Sequence, residues 1–468
     1  MIKEGLGLYT DLYQLTMGQA YLKDGLSETP ACFDYFFRKI PFGGGYVVFA
    51  GLGDLLELLA ELRFGPEDLD YLRSLGFGAE FIDYLKDFRF EGSILSALEG
   101  EMVFPLEPFV RVEGRLIEAQ LVETLLLNVL NFESLIATKA SRMRLAAGDR
   151  ILSDFGLRRA HGFGGVQASR AAAIGGFDST SNVYAAHRFG LKPAGTMAHS
   201  YVESHGDELA AFRRFAEDQP QNCVLLVDTY DTLKSGIPHA IIIGKEMERK
   251  GQRLLGVRLD SGDLAFLSKK ARQMLDEAGL SYVKIAASNL LDEYIIRSLL
   301  NQEAPIDIFG VGTKLITGAP DAALDGIYKL SLVGGEPRLK LSETVFKTTL
   351  PGRKKILRFV DGDGMFQADA IALDEESDVS KILHPFDPDK SLDISEFAGE
   401  PLLEAVMENG RILVTRRVEE TADYARERLS RLPPEHRRFE NPHIYKVGLS
   451  TELADLRARL IQIHRKEH

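Results

Sequence analysis

The chain has 468 residues, 45% of them apolar and 27% charged, a globular mix that excludes a disordered protein. Its 56 Lys and Arg face 69 Asp and Glu, a net charge of −13. Such a field repels nucleic acid and anionic membranes, so an anionic substrate needs a local cationic pocket. The two cysteines, Cys32 and Cys223, are far apart and form no CxxC, which excludes a disulfide framework and a cysteine-based zinc site. They read as free thiols in a reducing cytoplasm.

The first residues, MIKEGLGLYTDLYQ, have no apolar core segment and no small-residue cleavage site, so no signal peptide is expected. No apolar run reaches the roughly 20 residues of a membrane span. Residues 30–50 predict strand, loop and strand about PFGGG; 92–113 is strand-like, and 116–147 reads as one long helix. RILSDFG (150–156) and AGTMAHS (194–200) read as strands with polar ends. NCVLLVD (222–228) is a short apolar run ending in Asp228, and HAIIIGKEMERKG (239–251) is a helix closed by Gly251. RLLGVRLD (253–260) ends in Asp260; the segment 263–279 carries a helical apolar stripe at 264, 267, 271, 274 and 275 and stops at Gly279. YVKIAAS (282–288), LLDEYIIRSLL (290–300) and IDIFGV (306–311) continue as strand, helix, strand. Beyond about 340 come short strands and charged helical segments at 419–431 and 451–465.

The alternation from 150 to 330 predicts parallel strands with helical crossovers. A barrel is favoured; an open doubly wound sheet also fits. In either fold the polar strand ends line the site.

Each motif has a bland and a functional reading. DFGLRRAHG (154–162) offers an aromatic face in Phe155 and an arginine pair, Arg158 and Arg159, able to clamp phosphate or carboxylate; a core ring and solvated cations are the alternative. GGFDSTSN (175–182) opens a helix toward an anion, or Asp178 or Ser179 merely caps it. His199 follows a predicted strand and can point into the site mouth, although a single histidine is as often structural. In RLDSGDL (258–264), Asp260 and Asp263 bracket Ser-Gly, a pair suited to Mg2+ with a phosphorylated substrate or to ribose hydroxyls; Asp263 also fits a simple helix cap. FGVGTKL (309–315) is a short Gly-rich loop able to cradle phosphate, or a tight turn. No Walker A, GxSxG or HExxH motif occurs, and no GxGxxG follows a strand. The set as a whole points to a phosphorylated sugar, Mg2+ and a flat partner ring.

TDLYQLTMGQAY, FDYFFRKIPFGGGYVVFAGL, DFGLRRAHG, GGFDSTSN, GTMAHSYV, RLDSGDL and FGVGTKL, in this order from about residue 8 to about 355, resemble the nicotinate phosphoribosyltransferase family. The resemblance implies the irregular α/β barrel of the type II phosphoribosyltransferases beside an α+β domain built from both chain ends. The expected bounds are 1–134 for the N-terminal domain, 135–340 for the barrel, and 341–468 for a segment partly completing the former. It implies an ATP-coupled conversion of nicotinate and phosphoribosyl pyrophosphate to nicotinate mononucleotide and pyrophosphate, with Mg2+, in a cytoplasmic homodimer with shared sites.

By the same resemblance His199 is the histidine that ATP phosphorylates and Phe155 stacks on the ring. Arg158 and Arg159 lie near pyrophosphate and the nicotinate carboxylate. Asp178, Ser179 and Ser200 contact the pyridine substituent or hold its pocket. Arg258, Asp260 and Asp263 face ribose, pyrophosphate and Mg2+. Ser288, Asn289, Gly312 and Thr313 bind the 5′-phosphate, and Asp11 and Tyr13 reach over from the partner subunit. Alternatives are a sibling transferase for nicotinamide or quinolinate, or a non-catalytic nucleotide sensor. Quinolinate would want more cations than this pair, nicotinamide fewer, and a sensor would be expected to lose His199 or the aspartate pair.

Overall fold

The structure, a computed structural model, describes residues 5–341 and 348–466. Residues 1–4, in the stretch read for a signal peptide, and 342–347 and 467–468, in the expected C-terminal segment, lie outside them. The chain divides into two units: Met1–Thr138 with Ala323–His468, and Lys139–Ala322.

In the first unit, α1 (Leu12–Lys23) precedes β1 (Pro30–Phe37), β2 (Ser93–Ser96) and β3 (Val110–Arg115). β1 is buried except at Pro30, because it is central. It pairs antiparallel with β3 on one side and with Gly326–Val333 on the other, so both chain ends share one seven-stranded sheet. The aromatic run that made β1 legible fills the core, with Phe33 stacked on Tyr328 at 4.9 Å. A six-stranded sheet from 354–449 completes the unit. The expected helix at 116–147 is two, Leu116–Leu121 and Glu123–Ala147, interrupted at Val122. A cavity of about 690 Å³ belongs to this unit, lined by Leu106, His384, Phe386 and Ile444 among others, and none of the predicted site residues lines it.

The second unit carries six parallel strands: β4 (Ile151–Asp154), β5 (Ser179–Thr180), β6 (Val224–Leu226), β7 (Gly256–Leu259), β8 (Lys284–Ser288) and β9 (Ile308–Val311). Their order is β5-β4-β9-β8-β7-β6. Every strand therefore lies beside its sequence neighbours except β5 and β6, and the last pairs with the first. That cyclic order is a barrel, not a doubly wound sheet, whose order reverses at its centre. It is an irregular (β/α) barrel, unzipped at one seam between β5 and β6.

The predicted strand at 194–200 would have filled that seam. It is not a strand. Pro193 forms one isolated bridge to Thr180, Ala194 N–H bonds Thr180 O, and α2 (His199–Ser204) begins at His199. Pro193 has no N–H to extend the pairing, and Gly195 adds no side chain to pack. Three crossover helices follow as expected: α3 (Ile237–Arg249), α4 (Leu264–Glu277) and α5 (Glu293–Asn301). Gly251 and Gly279, just beyond α3 and α4, have φ of 70°, the left-handed turn that favours glycine. Cys32 and Cys223 are buried free thiols, and burial pushes both up to about 12. Among the described residues no helix is long and apolar enough to cross a membrane.

Candidate active site

Parallel register sets the strand ends level: Asp154 pairs with Val311, Gly310 with Ser288, Ala287 with Leu259. The polar residues that end these strands therefore meet along one edge.

Arg258 of β7 is the hub. Its Nε donates to Ser288 Oγ at 2.8 Å, Nη2 to Asp260 Oδ1 at 2.8 Å, and Nη1 to Thr196 Oγ1 at 3.3 Å. Its side chain is 12% exposed, and its guanidinium lies 5.4 Å from the centre of the Phe155 ring. The Ser288 hydroxyl also donates to Asp260. Burial opposes ionisation of Asp260, but the Ser288 hydroxyl and the Arg258 guanidinium outweigh it and hold the carboxyl below its usual range.

His199 stands at the start of α2 with its side chain 39% exposed. Nε2 is 3.9 Å from Asp260 Oδ2, and Nδ1 is 3.2 Å from Thr229 Oγ1. Asp228 accepts from the Asp260 N–H at 2.8 Å and the Ser261 hydroxyl at 2.7 Å through Oδ2. Its Oδ1 is buried without a hydrogen-bond partner among the described residues.

Phe155 is half-buried, its N–H bonded to Val311 O at 2.7 Å. A Cβ on Gly310 would come within 2.5 Å of its ring, so only glycine lets the ring lie over β9. Asp154 anchors this corner. Its buried carboxylate accepts from Ser169 Oγ and Thr180 Oγ1, each at 2.7 Å, and from Gly156 N–H at 2.8 Å. Burial pushes that carboxyl up in spite of these bonds. Sequence reasoning gave Asp154 no role, although an acid closing an apolar strand was the available signal. Arg158 and Arg159 lie exposed on the next turn, where the Arg159 N–H donates to Gly156 O at 2.7 Å and neither guanidinium has a hydrogen-bond partner among the described residues.

The other expected residues differ in their surroundings. Asp178 precedes β5; its carboxylate pairs with Arg144 and accepts from Leu152 N–H at 2.7 Å, and so it faces away from the strand ends. Ser179 is buried, its hydroxyl 2.7 Å from Ser153 Oγ. The helix Val183–Phe189 is capped by neither of them but by Asn182, which accepts from Ala185 N–H at 3.1 Å. Ser181, its N–H on Asp154 O at 2.7 Å, is the residue of that segment at the edge. Asp263 caps α4, accepting from Phe266 N–H at 3.0 Å. Ser200 is exposed on α2. Asn289 and Leu290, with φ of 81° and 51°, turn the chain sharply after β8. Gly312 and Thr313 open the short helix that follows β9. Asp11 and Tyr13 belong to the first unit: Thr124 bonds the Asp11 N–H and carboxylate, and Tyr13 is 47% exposed.

Among the described residues no group of three or more His, Cys, Asp or Glu is set to hold a metal ion by itself. The barrel edge does leave Asp228 Oδ1 without a donor and Asp260 Oδ2 on the open side toward His199. One or two carboxylates of this kind suit Mg2+, which keeps waters and substrate phosphates in its shell.

The chain matches three sequence descriptions end to end. They are the nicotinate phosphoribosyltransferase (NAPRTase) N-terminal domain over 8–131, the nicotinate phosphoribosyltransferase (NAPRTase) family over 151–365, and the nicotinate phosphoribosyltransferase C-terminal domain over 353–457. It is 44% identical to the nicotinate phosphoribosyltransferase of Bacillus subtilis, over 96% of this chain and 94% of that one. It is 36% identical to the Dictyostelium discoideum nicotinate phosphoribosyltransferase, over 96% and 87%. Among solved structures, human nicotinic acid phosphoribosyltransferase superposes with a TM-score of 0.86 at 32% identity, over 96% of this chain and 99% of that one. The nicotinate-nucleotide pyrophosphorylase of Pyrococcus furiosus superposes with a TM-score of 0.72 at 25% identity, over 92% and 97%.

Proposed function

The chain belongs to the nicotinate phosphoribosyltransferase family, and from that premise we propose how its barrel edge carries the reaction. The enzyme transfers a phosphoribosyl group to nicotinate, in the salvage synthesis of NAD. The donor is phosphoribosyl pyrophosphate and the products are nicotinate mononucleotide and pyrophosphate. The observation that carries the mechanism is the Arg258–Asp260–Ser288 cluster, flanked by His199 on one side and Phe155 on the other.

The pyridine nitrogen is already a nucleophile, so no general base is needed. Catalysis rests on positioning and on stabilising charge. Phe155 supports the ring face. Arg158 and Arg159, their guanidiniums free of protein partners among the described residues, meet the nicotinate carboxylate and the departing pyrophosphate. Asp260, ionised and already oriented by two donors, faces the positive charge that develops at the ribose anomeric carbon. Ser288, Asn289, Gly312 and Thr313 take the 5′-phosphate. Asp178, Ser179 and Ser200 support the pyridine pocket from behind or from its rim. Asp260, with Asp263 or the free Asp228 oxygen acting through water, would hold Mg2+, which when bound supplies positive charge beside the pyrophosphate.

ATP phosphorylates His199, and the added negative charge beside Asp260 shifts the affinity for the donor and its products, which couples ATP hydrolysis to synthesis. The protein works as a cytoplasmic homodimer, with Asp11 and Tyr13 reaching the partner's site; the exposure of Leu12 and Tyr13 at the start of α1 favours this. The test is pyrophosphate release from phosphoribosyl pyrophosphate, nicotinate and Mg2+, with and without ATP, in the wild type and His199→Ala. ATP is expected to stimulate the wild type alone. Equal stimulation of His199→Ala would overturn the role of the histidine.

A further inference from the structure

The seam between β5 and β6 leaves His199 on the least tethered part of the barrel edge. No strand holds residues 194–198. Beyond the backbone bonds from Ala194 N–H to Thr180 O and from Tyr201 N–H to Ala198 O, the segment is tied by the Arg258 side chain, at 3.3 Å to Thr196 Oγ1 and 3.5 Å to Met197 O. The His199 ring sits at the head of a six-residue helix and is 39% exposed. Such a ring would turn between rotamers unless something fixed it.

We infer that Thr229 is a positioning residue for His199, spanning the seam from the β6 side. The inference rests on the reading that ATP phosphorylates this histidine. Thr229 Oγ1 is 3.2 Å from Nδ1, while Nε2 faces Asp260 Oδ2 at 3.9 Å. The two contacts together set the rotation of the ring. Thr229 itself is well anchored. The preceding residue, Asp228, bonds the Asp260 N–H and the Ser261 hydroxyl. One residue earlier, Val227 O is packed so closely on Gly236 that a Cβ there would lie 1.8 Å away. A β-branched side chain on this fixed backbone has few χ1 choices, so its hydroxyl is aimed in advance.

A hydroxyl also suits the chemistry. It accepts from Nδ1–H or donates to a bare Nδ1, and so it holds the ring whichever way the proton lies. In the phosphorylation step the Nε2 lone pair forms the bond to the γ-phosphorus, and the bond from that phosphorus to the ADP oxygen breaks, while Nδ1 stays beside Thr229 Oγ1. ADP leaves with the electron pair, and the ring proton passes to water at the exposed edge. A contact that survives this proton change keeps the phosphorylated ring in register with Asp260.

The experiment compares full-length wild type, Thr229→Val, Thr229→Ser and His199→Ala. It follows transfer of label from γ-labelled ATP to the protein, together with kcat and KM for nicotinate with and without ATP. Thr229→Val is expected to slow labelling about tenfold, the worth of one hydrogen bond to a reacting group, with a smaller fall in ATP-independent kcat. Thr229→Ser is expected to restore labelling. Labelling of Thr229→Val within about twofold of wild type, or no rescue by serine, overturns the inference. Equal losses of labelling and ATP-independent turnover in the valine variant also overturn it, since that is a general structural defect. A wild type that takes no label, or label that persists in His199→Ala, fails the phosphohistidine reading itself, and the inference falls with it.

Discussion

Each unit of this chain holds an arginine clasped by carboxylates, and the two clusters differ in what they leave unsatisfied. In the first unit Arg358 is 0% exposed. It donates to Glu101 at 2.6 Å, to Asp369 at 2.6 Å and to Met102 O at 2.8 Å, with Phe366 against its face. The second oxygen of Glu101 is taken by Tyr424 and Arg428, and Asp369 also accepts from Tyr445. In the barrel unit Arg258 has one carboxylate, one serine, the Thr196 hydroxyl, the Met197 carbonyl and a half-buried ring, and its carboxylate partner Asp260 is 27% exposed. The chemistry is the same, but the remaining capacity is not. The closed cluster is shut off from solvent, whereas the open one keeps an Asp260 oxygen and a partly exposed imidazole. An ion cluster thus reads as structural or functional by its residual partners, not by its residue types.

The largest expected effect breaks the closed cluster. Arg358→Ala leaves Glu101 and Asp369 buried without their cation and is expected to cost about 3–5 kcal/mol of stability, measured by urea denaturation. A midpoint unchanged from wild type would erase the distinction. Next, Arg258→Ala should lower turnover by about 10²–10³-fold, the scale of removing one preorganised electrostatic donor, with a smaller loss of stability than Arg358→Ala. Should denaturation show it to be as damaging as the first variant, the barrel cluster is structural too.

The smallest effect sharpens the comparison from within the closed cluster. Burial pushes the Glu107 carboxyl far up, and the neighbouring Asp369 charge adds to this; its Oε1 is buried without a donor. The folded protein therefore keeps a proton that the unfolded chain releases. The resulting stability is fully present below the ordinary glutamate range and is lost as pH rises through the raised value. Glu107→Gln supplies a permanent N–H in place of that proton. It should raise stability above the ordinary glutamate range by about 1 kcal/mol and flatten the decline with rising pH, read from urea titrations across pH. A decline unchanged from wild type would show that Glu107 is ionised in the fold.

Most of the barrel was legible before folding, because its strands are short apolar runs between helical stripes and its helices stop at Gly251 and Gly279. The edge residues Arg258, Asp260 and Ser288 were legible for the same reason, since a polar residue ending an apolar strand has few places to go. Asp263 also fitted a cap, and the structure shows it in that role. The segment 194–200 was misread because its apolar and polar residues alternate weakly, while Pro193 and the side chain of Arg258 decide its path. Asp178 was named from its neighbours in GGFDSTSN; its contacts, the Arg144 side chain and the Leu152 N–H, depend on which segments fold together and could not be read from that motif.

The sequence by itself determined the parallel α/β order, the free thiols and the strand-end residues from which a phosphoribosyl site is built. Those depend on local periodicity and on residue chemistry, which travel with the chain. Only the tertiary structure decided that the strands return to their start with one open seam, that Asp154 is the anchor under Phe155, and that Thr229 meets His199. Those depend on which strand ends become neighbours across 15 to 30 residues of chain. A threonine or an aspartate looks the same in sequence whether its partner is water or another strand.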